Sequence, residues 1–280
     1  MELRVAIQGF EASFHEVAAR KFFHGTKIKL VFCESFQKLF DVLNNNEADY
    51  AIMAIENTLA GSLLQNYNLL RENEFQVVGE ILLHIVQNLM ALPGTKIEEI
   101  TEVHSHPIAI AQVAPFFKQY PHIKLVESDD TALSAKEIAE FKIQGRGGVA
   151  SRHAARVFGL ELLAESIETH KKNYTRFLVL ANNVSKEYIP QNVNKASLCF
   201  SLPHEEGSLA SVLAILSFYK INLTKIQSMP ILGQEFEYFF YIDVTYSNYE
   251  KYQQAIQALR PLTRNFKLLG EYQKAEHIES

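Results

Sequence analysis

The sequence predicts an α/β protein: two α/β lobes in tandem, followed by a small α+β module with the ferredoxin-like βαββαβ order. Three observations lead to this prediction. Short apolar runs alternate with amphipathic stretches through residues 1–182, and they do so in two successive blocks. Residues 183–195 are polar, contain Pro190 and lack hydrophobic periodicity, as expected of a linker. Residues 196–280 then follow a different order of elements.

The first block predicts a βαβαβ unit. Its amphipathic stretches space apolar residues at three and four positions, and Ser13 and Ser35 stand where helix N-caps are expected. This order implies a parallel sheet covered by helices. The strands are predicted at 3–8, 28–33 and 50–55, and the helices at 13–23 and 35–45.

A second, similar unit follows the apolar segment 75–92. One helix is predicted to begin at Pro107, with Ser105 or His106 as its cap, because proline suits the first turn. Two α/β lobes in tandem suggest a cleft between them, where small ligands usually bind. The strands are predicted at 102–105, 123–128, 148–151 and 177–182, and two further helices at 130–141 and 152–159.

The C-terminal part predicts a separate α+β module of about 80 residues. Its apolar runs and helical stretches occur in the order strand, helix, strand, strand, helix, strand. The predicted strands are 196–202, 221–228, 236–246 and 264–272, and the predicted helices are 208–219 and 248–260.

Composition limits the classes of partner. The chain has 280 residues and a formal net charge of -5, which gives no reason to expect a nucleic acid or an acidic membrane as partner. Cys33 and Cys199 lie far apart in apolar runs, so we expect buried thiols in a reducing compartment. The most apolar stretch, 77–92, contains charged and amide side chains that a membrane span would not tolerate. We therefore expect a cytoplasmic protein.

The first predicted strand runs into a turn with polar groups at the following helix start. Gly9 stands at this turn and Ser13 at the helix start. Helix N-terminal amides together with a hydroxyl can bind a carboxylate or a phosphate. The alternative is an ordinary βα turn with a serine cap.

Three polar residues, Glu56, Asn57 and Thr58, follow the third predicted strand. The carboxyl ends of parallel strands open toward the ligand-binding edge of a sheet. Three polar side chains and then Gly61 are more than a turn requires, so we predict a binding role for them.

The segment "VHSHP" raises the possibility of a metal site. His104 and His106 would lie on one face of a strand, but no third ligand accompanies them. We therefore predict no metal, and we expect Ser105 and His106 to be helix-start groups that face the cleft.

The segment "KKNYTRFLVL" places Asn173, Thr175 and Arg176 at the mouth of an apolar strand. A buried arginine needs an anionic partner. This partner is either a bound ligand, held bidentately, or an internal carboxylate such as Glu56. Thr175 and Arg176 are adjacent, so on a strand they would point to opposite faces and would serve one ligand only if the backbone turned there.

Taken together, these segments resemble the monofunctional bacterial prephenate dehydratases. The motifs occur in the order and spacing of that family, and the resemblance covers essentially the whole chain. The part from Gly207 to Pro230, followed by "EYFFYIDV", resembles the family's ACT regulatory domain. The motifs of the catalytic part are "QGFEASFHEVAA", "DYAIMAIENTLAGSLLQNYNLL", "VVGEILL", "HSHPIAIAQ" and "NYTRFLVL".

The resemblance implies a catalytic domain similar to a periplasmic-binding-protein fold, with its active site in the cleft. The implied reaction needs no cofactor: prephenate loses carbon dioxide and its ring hydroxyl and gives phenylpyruvate. Thr175 matches the threonine that is essential in this family. The predicted substrate-binding residues are Ser13, Glu56, Asn57, Thr58, Ser105, His106, Asn173 and Arg176.

The resemblance also implies that the ACT domain binds L-phenylalanine as an allosteric inhibitor. ACT domains commonly pair their sheets, so a homodimer or homotetramer is expected. In this chain a family segment that usually reads Glu-Ser-Arg-Pro has lost both charges, which affects either the affinity for the effector or its transmission. The predicted effector-binding residues are Gly207, Ser208, Leu209, Ala210, Gln227, Ser228, Met229 and Pro230.

Two other functions remain open at this point. Arogenate dehydratase performs the same chemistry on a substrate with an amino group in place of the keto group. A non-catalytic amino-acid sensor would not need the hydroxyl of Thr175. No long helical segment precedes the first strand, so we do not expect a fused chorismate mutase.

Overall fold

A computed structural model of the chain describes residues 2–181, 192–231 and 233–278. Most of the predicted linker 183–195 therefore lies outside the described residues. The helices are α1 Phe14–Phe22, α2 Phe36–Asn44, α3 Leu64–Glu72, α4 Pro107–Phe117, α5 Thr131–Phe141, α6 Arg152–Phe158, α7 Ser208–Phe218 and α8 Tyr249–Leu259. The strands are β1 Leu3–Gln8, β2 Ile28–Cys33, β3 Tyr50–Asn57, β4 Gly61–Ser62, β5 Gln76–His84, β6 Asn88–Ala91, β7 Glu102–Ser105, β8 Lys124–Glu127, β9 Arg146–Ala150, β10 Glu161–Ala164, β11 Tyr174–Ala181, β12 Lys195–Ser201, β13 Asn222–Pro230, β14 Tyr238–Thr245, β15 Arg264–Tyr272 and β16 His277–Ile278.

The chain divides into two units by its internal contacts. Unit 1 contains the described residues within Met1–Ser62, Ile81–Phe177 and His277–Ser280. Unit 2 contains those within Leu63–Glu80 and Leu178–Glu276. Unit 1 thus holds most of both predicted α/β lobes, whereas helix α3, the first part of β5 and the end of β11 group with the C-terminal module. No helix in the described part of the chain is long and apolar enough to cross a lipid bilayer.

The first lobe of unit 1 is built on a sheet with strand order β16-β5-β11-β3-β1-β2, and β4 pairs with β3. β1 pairs in parallel with both β2 and β3, which confirms the predicted βαβαβ unit. Ser13 and Ser35 cap α1 and α2, as predicted. At the other edge the short strand β16, not foreseen from the sequence, pairs in parallel with β5.

The second lobe is built on a sheet with strand order β10-β6-β9-β7-β8. β7 pairs in parallel with β8 and β9, as predicted, and His106 caps α4 with Pro107 in its first turn. β6 and β10 add antiparallel pairs that the sequence did not predict. The reason is that the apolar segment 75–92 forms two strands, β5 and β6, of which β5 belongs to the first sheet and β6 to the second.

Strand β11, predicted as the last strand of the second α/β unit, belongs to the first sheet, between β5 and β3, and it also begins earlier than predicted. It spans Tyr174–Ala181 in place of 177–182, so the polar residues of "NYTR" lie in or directly before the strand. Backbone carbonyls of this segment accept hydrogen bonds from two other segments. The Thr58 N–H donates to Tyr174 O at 2.9 Å, and the Ile85 N–H donates to Asn173 O at 2.8 Å. Hydrogen bonding on both sides therefore extends the strand beyond its apolar core.

Unit 2 contains the predicted βαββαβ module. Its sheet has the order β13-β14-β12-β15, with antiparallel pairing throughout, which is the ferredoxin-like arrangement. Alternate residues of β12, Ala196, Leu198 and Phe200, join a buried core with α7 and α8. Lys195, predicted to be in the linker, is the first residue of β12, and its ammonium forms a buried ion pair with Glu80 at 2.8 Å.

Cys33 and Cys199 are both free and buried, as predicted. Burial raises the pKa of the Cys33 thiol to about 11 and that of the Cys199 thiol to about 12. Both side chains therefore serve as small apolar groups and not as nucleophiles.

Candidate active site

The predicted residues at the end of β3 and at the start of β11 form one hydrogen-bonded network in unit 1. Asn57 is at its centre. The Asn57 amide nitrogen lies 2.7 Å from Asn173 Oδ1, 2.9 Å from Thr175 Oγ1 and 3.2 Å from the carbonyl oxygen of Tyr174. The structure thus brings three of the predicted residues, Asn57, Asn173 and Thr175, together.

The orientation of the Asn57 side-chain amide is fixed by the hydrogen bonds of its oxygen, Oδ1. Asn57 Oδ1 accepts hydrogen bonds from the backbone N–H groups of Leu59 and Ala60, both at 2.9 Å. Backbone N–H groups can only donate, so the atom that faces Thr175 must be the amide nitrogen. Thr175 Oγ1 therefore accepts a hydrogen bond from Asn57. As a result, the hydroxyl proton of Thr175 is free to donate to a group at another position.

Two further contacts hold this network in place. Asn173, fully buried, donates from its amide to Gln112 Oε1 at 3.0 Å, which connects the network to helix α4. Thr58 contributes on the first-lobe side: its hydroxyl lies 2.9 Å from the Tyr174 N–H and 3.2 Å from the Lys172 carbonyl. The Asn57 network thus spans both lobes of unit 1, and its geometry depends on residues from each.

The turn between β1 and α1 forms a second group of predicted residues. The Ser13 hydroxyl accepts from the N–H of Glu16 at 3.4 Å and is only 3% exposed. Glu16, also buried, accepts the N–H of Ala12 at 2.7 Å and Arg20 Nε at 2.7 Å. Ala12 has a left-handed φ of 65°, a conformation that favours glycine, so the Glu16 carboxylate stabilises a strained turn.

His15 joins the two groups. Its Nε2 accepts the N–H of Ala54 at 3.4 Å, which leaves the ring proton on Nδ1. The ring packs edge-on against Phe177 with centroids 4.9 Å apart, and Phe177 shares a face of β11 with Thr175. Desolvation lowers the pKa of His15 to about 3, so the imidazole is neutral at pH 7. His15 therefore provides a neutral N–H on the Thr175 side of the sheet.

We expect the Glu16 carboxylate to stabilise the fold in a pH-dependent way. Burial alone would raise its pKa, but hydrogen bonds from His153, the Ala12 N–H and Arg20 outweigh burial and lower it to about 2. A depressed pKa means that the stabilisation is complete above the unfolded value of about 4.5 and is lost as pH falls toward 2. Its size is about 3.5 kcal/mol at most, from a shift of 4.5 to about 2 at ~1.4 kcal/mol per pKa unit.

The measurement is urea unfolding of the wild type and of Glu16→Gln at pH 6, 4 and 3. We expect the wild type to be more stable at pH 6 and the two curves to converge at low pH. Glu11→Gln, at an exposed neighbouring position, is the control and should show no such convergence. A stability difference between wild type and Glu16→Gln that does not change with pH would contradict this role.

Three other predicted residues occupy different surroundings from the Asn57 network. Ser105 is fully buried and donates to the carbonyl of Val149 at 2.6 Å, so its hydroxyl is committed to the backbone and does not face a cleft as expected. His106 Nδ1 accepts the N–H of Ile108 at 3.3 Å as the cap of α4. Arg176 is 5% exposed, and the alternation of β11 directs its side chain away from the face of Thr175.

Residues of the predicted effector site lie around the start of α7 in unit 2. Gly207 is the N-cap, with a left-handed φ of 79° and no side-chain hydrogen bond to the first turn. A cavity of about 150 Å³ opens there. Ser208 and Leu209 line it together with Leu202, Pro203, His204, Glu205, Phe236, Tyr238 and Phe240. The segment 227–230 does not line it, but pairs with the part of β14 that does, from Pro230↔Tyr238 to Gln227↔Tyr241.

The site's residues were assigned from the sequence with three omissions. Gln112, Glu16 and His15 all occur inside the motifs "HSHPIAIAQ" and "QGFEASFHEVAA". Gln112 and His15 contact residues that are distant in sequence, whereas Glu16 contacts Ala12 and Arg20, each four positions away. Glu16 follows Ala12 by four positions, a helical spacing. This is the one local signal that could have identified the hydrogen bond from the Ala12 N–H to the Glu16 carboxylate.

Comparison with known proteins decides the family. A family model described as prephenate dehydratase matches residues 5–185, more than half of the chain. The chain belongs to the prephenate dehydratase family. The matched range includes every residue of the Asn57 network and of the β1–α1 turn, so the geometry described above is that of a prephenate dehydratase family member.

Several relatives of this family member are similar over nearly its whole length. Arogenate dehydratase 2 of Petunia hybrida is 37% identical, and the alignment covers 96% of this chain and 71% of the relative. Arogenate dehydratase/prephenate dehydratase 2 of Arabidopsis thaliana is 35% identical, with 96% and 72% covered. The bifunctional chorismate mutase/prephenate dehydratase of Escherichia coli K12 is 31% identical, with 96% and 70% covered.

Two solved structures share the fold of the prephenate dehydratase family chain. One is described as GqqA, a novel type of quorum quenching acylase. It has a TM-score of 0.87 at 26% identity, and the alignment covers 98% of that chain and 97% of this one. The other, the prephenate dehydratase of Arthrobacter aurescens in complex with L-Phe, has a TM-score of 0.86 at 23% identity, with 93% of that chain and 99% of this one covered.

Proposed function

We propose that this chain catalyses the decarboxylative dehydration of prephenate to phenylpyruvate, carbon dioxide and water, a step of phenylalanine biosynthesis. The observation that carries the proposal is the orientation of Asn57. Its amide donates to Thr175 Oγ1, so the Thr175 proton is directed to a partner outside the network. A hydroxyl that is held as an acceptor on one side and released as a donor on the other suits the departing ring hydroxyl of prephenate.

The chemistry needs few groups. Prephenate carries two carboxylates and one ring hydroxyl, and loss of the ring carboxylate as carbon dioxide pushes electrons through the ring toward the carbon that bears the hydroxyl. The leaving oxygen develops negative charge, which Thr175 stabilises with a hydrogen bond or a proton. Asn57 polarises the Thr175 hydroxyl and fixes its direction. Because aromatisation drives the step, most of the enzyme's work is to position the substrate.

The carboxylates of the substrate need donors as well. The first-turn amides of α1, which follow Ser13, form a positive helix end within the same unit. The neutral His15 adds an Nδ1–H on the Thr175 side of the sheet. We propose Ser13, Asn57, Thr58, Asn173 and Thr175 as the active site in a periplasmic-binding-protein-like cleft. Glu56 and Arg176, the neighbours of Asn57 on β3 and of Thr175 on β11, alternate with them and point to the opposite face of the sheet.

The substrate is tested directly with purified protein. We expect turnover of prephenate, followed by the absorbance of phenylpyruvate, and we measure arogenate, which would yield phenylalanine, in parallel. Arogenate is included because the 37% identical relative is named arogenate dehydratase. A higher kcat/KM with arogenate than with prephenate would identify arogenate as the substrate of this chain. Binding of either compound without turnover would instead indicate a non-catalytic sensor.

We further propose residues 1–182 as the catalytic domain and residues 196–280 as an ACT regulatory domain that binds L-phenylalanine. The cavity at α7 supports this proposal, because it combines an uncapped helix start with aromatic walls from Phe236, Tyr238 and Phe240. The amino acid's carboxylate would accept from the α7 amides, and its ring would contact the aromatic walls.

Isothermal titration calorimetry with L-phenylalanine tests this site. We expect binding to the wild type and a loss of affinity of about tenfold in Tyr238→Ala, since truncating an aromatic wall removes roughly 1–3 kcal/mol of apolar contact. Tyr249→Ala, at an equally exposed position on α8, is the matched control and should bind normally. Equal affinity in wild type and Tyr238→Ala would contradict the proposed position.

We also propose that copies of the chain pair through the sheet of unit 2, with strand order β13-β14-β12-β15, to form a homodimer or homotetramer. β13 is an edge strand of that sheet, with Ile226 42% exposed, and an open edge of this kind is a template for pairing with another strand. Light scattering of the wild type and of Ile226→Lys measures the mass. A monomeric wild type would exclude this assembly.

A further inference from the structure

A cavity of about 280 Å³ in unit 1 lies between α1 and α6 and is not used by the proposed reaction. We call it the α1–α6 pocket. Helix α1 belongs to the first lobe and α6 to the second, so each lobe supplies one wall. Its lining residues are Val17, Arg20, Lys21, Arg152, His153 and Arg156.

The charge of the α1–α6 pocket is positive in a chain of net charge -5. Four of its lining side chains are permanent cations, and two carboxylates contact them: Glu16 pairs with Arg20 at 2.7 Å, and Glu165 pairs with Arg152. Val17 adds an apolar side chain to the lining.

The arginines retain donors for a ligand. A guanidinium carries five N–H groups in a planar fork. Arg20 donates to Glu16 through Nε, and Arg156 donates to His153 Nδ1 through Nη2 at 3.1 Å. The remaining N–H groups of these two exposed residues come from opposite walls of the pocket, in the arrangement that suits an oxyanion with several acceptor oxygens.

We propose that the α1–α6 pocket binds a phosphate monoester with a small apolar body. A phosphate monoester is an anion with three strong acceptor oxygens, which suits guanidinium donors that come from both walls of a basic pocket. The apolar body contacts Val17 and the side-chain stems. A carboxylate has only two acceptor oxygens, both in one plane, and offers fewer partners to donors from two walls.

The pocket is connected to the turn that precedes α1. His153 accepts from Arg156 at Nδ1, so its proton is on Nε2, which lies 3.5 Å from Glu16 Oε1. Glu16 in turn accepts the Ala12 N–H at 2.7 Å. A ligand that binds Arg20 or Arg156 therefore contacts a residue linked to Glu16, because Arg20 pairs with Glu16 directly and Arg156 is connected to it through His153. Glu16 is the carboxylate that stabilises the Ala12 turn.

The probe is phenyl phosphate, titrated calorimetrically into the full chain at 50 mM and 200 mM NaCl. We expect binding that weakens at higher salt. Arg20→Gln and Arg156→Gln should each weaken it by about tenfold or more, as expected for loss of a charge-assisted hydrogen bond. Arg264→Gln removes the same charge at an exposed position on β15 and should leave the affinity unchanged.

Three results would overturn the proposal. They are no heat of binding at the highest phenyl phosphate concentration reached in the titration, equal weakening in Arg264→Gln, and tighter binding of malonate than of phenyl phosphate. The test reads binding and not turnover, so it is independent of the proposed dehydratase reaction. Prephenate turnover of the two arginine variants is measured as well. A large rise in KM for prephenate in both would identify the pocket as part of the substrate site and would also contradict the proposal.

Discussion

Replacing Thr175 by alanine is expected to reduce kcat/KM for prephenate by roughly 10²–10³, the usual cost of removing one donor at a developing negative charge. The variant should fold normally, because Thr175 is only half-buried and its removal leaves Asn57 with Asn173 and the Tyr174 carbonyl as acceptors. Steady-state assays of phenylpyruvate formation measure the effect, and circular dichroism and thermal melting verify the fold.

Thr175→Ser is the matched control, since it keeps the hydroxyl and its acceptor position for the Asn57 amide. We expect it to retain most of the activity, within about tenfold of the wild type. Near-wild-type turnover in Thr175→Ala would exclude Thr175 as the catalytic residue. A loss in Thr175→Ser as large as in Thr175→Ala would show that the methyl group, and hence packing, is what matters.

Replacing Gly270 by alanine is expected to destabilise unit 2 by about 3 kcal/mol or more. A Cβ atom at this position would lie 2.0 Å from the carbonyl oxygen and 2.8 Å from the Cβ of Val77. The nearest atom belongs to the backbone, so the clash cannot be relieved by rotating a side chain. Gly270 lies at an irregularity in the pairing of β12 with β15, where the strand has little freedom to move.

Thermal unfolding of Gly270→Ala and of Gly148→Ala separates this clash from the general effect of adding a methyl group. A Cβ at Gly148 would meet the end of the Ile138 side chain at 3.1 Å, which a small rotation relieves. We expect the Tm to fall far more in Gly270→Ala than in Gly148→Ala. Similar Tm values for the two variants would show that β15 can move away from Val77.

The order of elements and the Asn57 network follow directly from local patterns. Apolar runs located β1 to β3 and the strands of the ferredoxin-like module, and helical spacing of apolar residues located its two helices, because each of these elements contributes to a buried core. Asn57, Asn173 and Thr175 could be grouped because they stand at strand ends, where polar residues have no packing role. The start of β11 was placed too late since Tyr174 and Thr175 join the strand through backbone hydrogen bonds, which hydropathy does not report.

Other features depend on contacts between distant segments and have no local signature. Ser105 has the appearance of a ligand-binding serine in "HSHP", yet its hydroxyl is taken up by Val149, 44 residues away. Lys195 looked like part of a polar linker, but Glu80 gives it a buried partner 115 positions earlier. A charged residue next to an apolar run is equally compatible with a linker and with a buried ion pair.

Strand β16 has a consequence for biosynthesis. Its residues, His277–Ile278, extend beside β5 the same sheet that contains β1, yet they are translated after every other described strand. A nascent chain can complete the other strands of that sheet while the edge of β5 is still uncovered, and such an edge pairs readily with other chains. Self-association of the chain is therefore most favoured before His277–Ile278 have been synthesised and have paired with β5.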